Sequence, residues 1–116
     1  MIGDMRRAAC VAIGDELIAG EYADSNSGAI AARLAELGIA VERFVVVGDD
    51  APALEKLFYE LCRDYQIVVA SGGLGPTLDD VTREAAAAAA GVALVRDDAT
   101  VAWLREMFAS RKRAMS

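Results

Sequence analysis

The sequence contains no histidine, which removes the side chain that most often serves as a general base near neutral pH and as a zinc ligand. Its two cysteines, Cys10 and Cys62, lie in apolar surroundings with no second cysteine at metal-binding spacing. We therefore expect reduced thiols and a cytoplasmic protein. An excess of positive charge is also lacking, because 12 lysines and arginines stand against 18 aspartates and glutamates, a formal net charge of −6. Such a charge repels a polyanionic backbone, so we expect no nucleic-acid partner.

Long apolar runs are missing as well. The longest early run, residues 8–13, is too short for a signal-peptide core or a membrane span and is followed at once by Gly14. We therefore expect no membrane partner. With 55% hydrophobic and 26% charged residues, the chain has the composition of a globular protein and the length of one domain, residues 1–116.

What the sequence does contain is an alternation of short apolar strands and amphipathic helices. Continuous apolar runs predict strands at residues 8–13, 39–47 and 66–70. Helical spacing of apolar residues, with caps and terminal glycines, predicts helices at residues 24–37, 49–62 and 79–90, a short extended piece at 92–95, and a last helix from residue 97. This order predicts an α/β fold with parallel strands, right-handed crossovers and helices on both faces of the sheet.

The segment Ser-Gly-Gly-Leu-Gly-Pro-Thr at residues 71–77 joins the third predicted strand to the third predicted helix. Its glycines allow successive amides to turn inward around an anion, and the N-terminus of the following helix favours negative charge. Ser71 and Thr77 add hydroxyl donors. The alternative is a tight turn that binds nothing, but this segment has more glycines and hydroxyls than a turn needs. We predict that it binds a phosphate-bearing small molecule.

Two common phosphate motifs are absent from this segment. A P-loop needs a lysine, and the sequence has none between Lys56 and Lys112. The dinucleotide fingerprint needs a further glycine where Leu78 stands. Both kinase and dehydrogenase functions are therefore disfavoured.

Acidic pairs follow all three predicted strands: Asp15 and Glu16, Asp49 and Asp50, Asp79 and Asp80. The carboxyl ends of parallel strands share one edge of the sheet, where ligand crevices form. Because carboxylates repel a bare phosphate, the pattern favours a bridging divalent metal such as Mg²⁺, or a general base. The last two pairs also stand where helix caps belong, and any one of these aspartates alone is more often a cap.

Several motifs together resemble the N-terminal domain of the competence/damage-inducible protein A family, which is similar to the molybdopterin-binding domains of molybdenum-cofactor biosynthesis proteins. They are Gly14-Asp15-Glu16-Leu17, Gly20, Asn26, Val47-Gly48-Asp49-Asp50, and the stretch from Gly72 to Thr82. The resemblance implies a three-layer α/β/α fold with a mainly parallel sheet, often a homo-oligomer, that binds molybdopterin or a nucleotide. It also implies metal-dependent hydrolysis of a nucleotide pyrophosphate such as ADP-ribose.

By this resemblance Asp49 and Asp80 are the catalytic and metal-binding carboxylates. The residues expected to line the ligand are Gly14, Asp15, Glu16, Asn26, Ser71, Gly72, Gly73, Gly75, Thr77, Asp79 and Thr82. Gly48, where the adenylyltransferase relatives usually have proline, favours the damage-inducible branch. The family domain normally continues with more strands and a second glycine- and proline-rich loop, so the resemblance also implies a domain truncated at its C-terminus, with the third strand at an open sheet edge.

Three alternatives remain open. The sequence is also compatible with a binding module without turnover, with a molybdopterin adenylyltransferase-like protein, and with a structural remnant whose glycine loop binds nothing.

Overall fold

The computed structural model describes residues 6–21 and 23–111. Within them, a parallel sheet has the strand order β2-β1-β3. Its strands are β1 (Arg6–Ile13), β2 (Ile39–Val47) and β3 (Ile67–Ser71). The helices are α1 (Asp15–Ile18), α2 (Asn26–Glu36), α3 (Ala51–Asp64), α4 (Thr82–Ala90) and α5 (Asp98–Ser110). The sequence predicted the β-α-β-α-β-α order correctly but did not predict α1, the four-residue helix that follows β1.

Strand β1 is central, which explains its continuous run of small apolar residues. Every residue from Ala8 to Ile13 is at most 3% exposed. One face of the strand, including Val11 and Ile13, packs against Leu54 and Phe58 of α3 and Ala85 of α4. Helix α2 packs against β1 and β2. Because the chain moves from β1 to β2 in one direction and from β2 across β1 to β3 in the other, right-handed crossovers place α2 and α3 on opposite faces.

The parallel register brings all three strand ends to one edge. Ile13 pairs with Val47, and Ala12 pairs with Ser71. Strand β3 pairs only with β1 among the described residues, so it is an edge of the sheet, as expected. The loops that follow the three strands therefore emerge side by side.

The ends of β1, β3, α2 and α3 lie within two residues of the predicted bounds, and larger differences occur at two places. Helix α4 begins at Thr82 rather than at residue 79, because the Asp80 side chain bonds back to Thr77 and holds residues 77–80 in a turn. Residues 92–95 are irregular, and Val95 is 86% exposed, since no described strand pairs with them.

Helix α5 carries no buried residue and packs only lightly on the other elements. Asp97 precedes it as predicted, but its carboxylate accepts a hydrogen bond from the Thr100 hydroxyl rather than from a backbone amide. In residues 6–21 and 23–111, no helix combines the length and apolar character needed to cross a bilayer.

Candidate functional site

The strand order creates a crevice at the carboxyl ends of β1 and β3. The chain leaves β1 toward α2 on one face of the sheet and leaves β3 toward α4 on the other, and ligands of open α/β sheets bind where the connections diverge in this way. The glycine loop lies at this point. The sequence predicts the edge of the sheet but not this position along it, which depends on the strand order.

Glycines let the loop after β3 rest directly on the end of β1. Gly72 has φ +93°, and a β-carbon there would collide with the backbone carbonyl oxygen of Ile13. Gly73 has φ +68°, and a β-carbon there would collide with the Thr82 hydroxyl. These two glycines are therefore required by the approach of neighbouring segments, whatever the loop binds.

Thr82 braces the loop from the first residue of α4. Its side chain is buried, and its hydroxyl donates to the Gly72 carbonyl at 2.7 Å, while its amide donates to the Gly73 carbonyl at 3.2 Å. In this structure Thr82 supports the loop rather than facing the crevice. Its predicted contact with the ligand stays a prediction.

Asp80 organises the second half of the loop. Its Oδ2 accepts hydrogen bonds from the Thr77 amide at 3.0 Å and from the Thr77 hydroxyl at 2.5 Å. The Thr77 hydroxyl, and after it the Thr77 amide, hold the pKa of the Asp80 carboxyl below its ordinary value, and the Gly75 amide and the Arg83 guanidinium act weakly in the same direction. Asp80 is thus a fixed anion at neutral pH.

The amides of Gly72, Gly73 and Leu74 have no hydrogen-bond acceptor among the described residues. Backbone amides in folded proteins are nearly always paired with protein or solvent, so three consecutive free donors can receive an anion. Arg83 donates to the Gly75 carbonyl at 3.3 Å and adds a positive charge beside them. The loop therefore combines free donors with a nearby cation.

Sequence reasoning missed Arg83. A cation in the first turn of a helix opposes the helix dipole, so the position of Arg83 is not explained by the stability of α4 itself. The unfavourable position of Arg83, soon after the glycine loop, was the sequence feature that could have identified this residue.

Asp15 and Asp49 hold the ends of β1 and β2 together. The Asp49 amide donates to Asp15 Oδ1 at 2.8 Å, and the Asp15 amide donates to Asp49 Oδ2 at 3.2 Å. The Gly14 amide donates to the Val47 carbonyl at 2.9 Å, so it is not free for a ligand. Asp50 caps α3 by accepting from the Ala53 amide at 3.2 Å, which confirms the capping interpretation for Asp50.

The described strand-end carboxylates form no closed metal centre. In residues 6–21 and 23–111, no group of three or more acidic or cysteine side chains converges to hold an ion. Asp49 follows β2 and Asp80 follows β3, on either side of β1. Each uses Oδ2 in the bonds described above and has Oδ1 for a further partner. Mg²⁺ typically takes one or two carboxylates and completes its shell with water and phosphate oxygens.

A cleft of about 140 Å³ lies between the ends of β1 and β3 and the start of α2. Four residues predicted to contact the ligand line it: Glu16, Asn26, Ser71 and Gly72. Asp24 also lines it and accepts from the Ser27 amide at 3.1 Å. Asp79, also predicted, is exposed in the loop and does not line the cleft.

A larger cavity, about 520 Å³, lies elsewhere. It is an open apolar groove between α3, α4 and the free edge of β3, lined by residues such as Phe58, Cys62, Val68 and Ala86. Its described lining includes none of the predicted carboxylates, and its one predicted site residue is Thr82, which bonds to the glycine loop.

Known proteins resemble this chain in both sequence and fold. Residues 9–114 match the family described as a probable molybdopterin-binding domain. The CinA-like protein of Geobacter metallireducens is 48% identical over 109 residues, which cover 94% of this chain and 26% of that protein. The chain thus spans about a quarter of the length of the curated relatives it matches.

Two solved structures share the fold. CinA from Thermoplasma acidophilum, described as having unknown function, superposes with a TM-score of 0.83 at 30% identity over 97% of this chain and 64% of that chain. The molybdopterin biosynthesis enzyme MoaB from Thermus thermophilus superposes with a TM-score of 0.58 at 25% identity over 70% of this chain and 52% of that chain. The predicted α/β fold and the predicted family resemblance are both confirmed.

Proposed function

The chain belongs to the family of probable molybdopterin-binding domains, and from that premise we propose that its strand-end edge binds a phosphate-bearing molecule, molybdopterin or a nucleotide. The observation that carries the proposal is the run of free amides at Gly72, Gly73 and Leu74, located at the crevice between β1 and β3. These donors receive phosphate oxygens, and the N-terminus of α4 and the Arg83 guanidinium favour the same negative charge.

The proposal extends to metal-dependent hydrolysis of a nucleotide pyrophosphate such as ADP-ribose. Asp49 and Asp80 would hold the ion through their Oδ1 atoms. When bound, a divalent metal supplies Lewis-acid polarisation of a phosphoryl oxygen and lowers the pKa of a coordinated water. The chain's own part is to fix the phosphates against preorganised amides, which stabilise the negative charge that develops during cleavage.

The test of hydrolysis is incubation of the purified chain with ADP-ribose and MgCl₂, with AMP measured by chromatography. We expect AMP from the wild-type chain and a large loss of rate in Asp80→Asn, since Asp80 is proposed to hold the metal that polarises the phosphoryl oxygen. Asp98→Asn, an exposed aspartate at the start of α5, is the matched control and should keep the wild-type rate. Equal rates in wild type and Asp80→Asn would remove Asp80 from the mechanism.

A second candidate is a binding module without turnover, and the hydrogen bonds of Asp49 and Asp80 favour it. Both carboxylates already hold loops in place, which is a sufficient reason for their presence. Calorimetry with ADP-ribose and MgCl₂ separates the candidates: heat of binding with no AMP formed supports the binding module, and AMP formation contradicts it.

A further inference from the structure

We propose that the 140 Å³ cleft beside the glycine loop receives the sugar ring of a nucleotide, with the Glu16 carboxylate accepting hydrogen bonds from its vicinal hydroxyls. This inference rests on the proposed function, because the phosphates attached to that sugar are taken to lie over the loop amides. It assigns a site to the sugar, the part of the ligand that those amides do not contact.

The cleft has the size of one small ring. Its volume of about 140 Å³ is well below the roughly 300–1,000 Å³ of pockets that enclose a whole drug-sized ligand. A dinucleotide cannot enter it entirely, so only one component of the ligand is enclosed.

The described lining of the cleft is rich in hydrogen-bond acceptors. It offers the carboxylates of Glu16 and Asp24 and the polar side chains of Ser25, Asn26 and Ser71. Carboxylates accept hydrogen bonds and repel phosphate, so a ring rich in hydroxyl donors fits here, and the phosphates are directed to the amide side. An acidic side chain reads ribose hydroxyls in the same way in dinucleotide-binding folds.

Glu16 is the side chain placed to make this contact. Its carboxylate folds back over the end of β1, where a β-carbon on Gly14 would collide with it. It makes no hydrogen bond to any other described residue. Asp24, in contrast, already accepts from Ser27.

The Glu16 carboxylate and Gly72, which carries the first free loop amide, lie on either side of the peptide between Ile13 and Gly14. The Glu16 carboxylate lies against Gly14, and Gly72 lies against the Ile13 carbonyl. The two groups thus lie beside Ile13, the last residue of β1, and Gly14, the residue that follows it. A sugar joined to a phosphate through one ester bond spans neighbouring positions of this kind.

The experiment is calorimetry of the full chain in MgCl₂ with three probes: ADP, 2′,3′-dideoxy-ADP and inorganic pyrophosphate. We expect ADP to bind roughly tenfold more tightly than its dideoxy analogue, the effect of hydrogen bonds to a charged group. In Glu16→Gln that preference should shrink severalfold, while pyrophosphate affinity stays unchanged or rises. Glu21→Gln, an exposed glutamate nearby that does not line the cleft, is the matched control and should keep the preference.

The outcomes separate the two proposals. If pyrophosphate binds but ADP and its dideoxy analogue bind equally, or if Glu16→Gln weakens both nucleotides by the same factor, the sugar assignment is wrong and the phosphate site stands. If none of the three probes binds, the nucleotide form of the proposed function fails, and the sugar assignment fails with it. Urea denaturation of Glu16→Gln checks that the variant is folded.

Discussion

Replacing individual glycines with alanine tests whether the loop after β3 rests on the end of β1. Gly72→Ala introduces two costs. The first is a side chain at φ +93°, about 1–2 kcal/mol for a left-handed backbone. The second is overlap with the Ile13 carbonyl oxygen, which must be relieved by moving β1 or the loop, about 1–3 kcal/mol by analogy with overpacked sites. The sum is roughly 2–5 kcal/mol.

Two other glycines separate these costs. Gly38 has φ +77° and no atom within 4 Å of an added β-carbon, so Gly38→Ala should show only the backbone cost, about 1–2 kcal/mol. Gly28 lies in α2 with open space around it and no positive φ, so Gly28→Ala should stabilise the fold by about 0.5 kcal/mol.

Urea denaturation of the three variants measures the differences. With a slope of about 1.5 kcal/mol/M, Gly72→Ala should lower the midpoint by roughly 1–3 M, Gly38→Ala by about 1 M, and Gly28→Ala should raise it slightly. If Gly72→Ala and Gly38→Ala lower the midpoint equally, the close contact between the loop and Ile13 does not exist, and the account of Gly72 is refuted.

Two further predictions concern ionisable groups. Thr77→Val removes the largest cause of the lowered Asp80 pKa, so that pKa should rise toward its ordinary value in an NMR titration of the side-chain carboxyl; an unchanged pKa would contradict the Thr77 contact. Because the Asp80 pKa is depressed in the folded chain, this contact stabilises the fold above the ordinary carboxyl pKa of about 3.9 and is lost as the pH falls through the lower folded-state value. Burial, and then the charge of Asp24, raise the pKa of the Cys10 thiol, whereas Cys62 is exposed. A thiol reagent at pH 8 should therefore modify Cys62 rapidly and Cys10 only after denaturation; rapid reaction of both thiols in the native chain would mean that β1 is not buried.

The elements that depend on local chemistry could be predicted from the sequence. The bounds of β2 at residues 39–47 and the Asp50 cap of α3 follow from side-chain type and neighbouring positions alone. The start of α4 could not be predicted, because Asp79 and Asp80 are equally good capping residues until the chain shows that Asp80 bonds to Thr77. Cap and turn use the same side-chain chemistry, and the sequence does not decide between them.

The contacts between strand-end loops were beyond sequence reasoning. Asp15 and Asp49 were identified as site residues, but their mutual hydrogen bonds exist only because Ile13 and Val47 are in register. The sequence likewise predicts phosphate binding by Gly72, but the steric contact of Gly72 with Ile13 depends on β3 lying next to β1. Such contacts join residues far apart in the chain, so no local pattern records them.

The reciprocal bonds of Asp15 and Asp49 have a consequence for ligand entry. They connect the first two strand-end loops, and Gly72 seats the third against the same strand, so all three loops at the rim of the crevice are tied to β1. A molecule bound as proposed would meet donors that already have fixed positions. Little conformational entropy is lost at the moment of association, and affinity depends mainly on how well the arriving groups match the fixed positions.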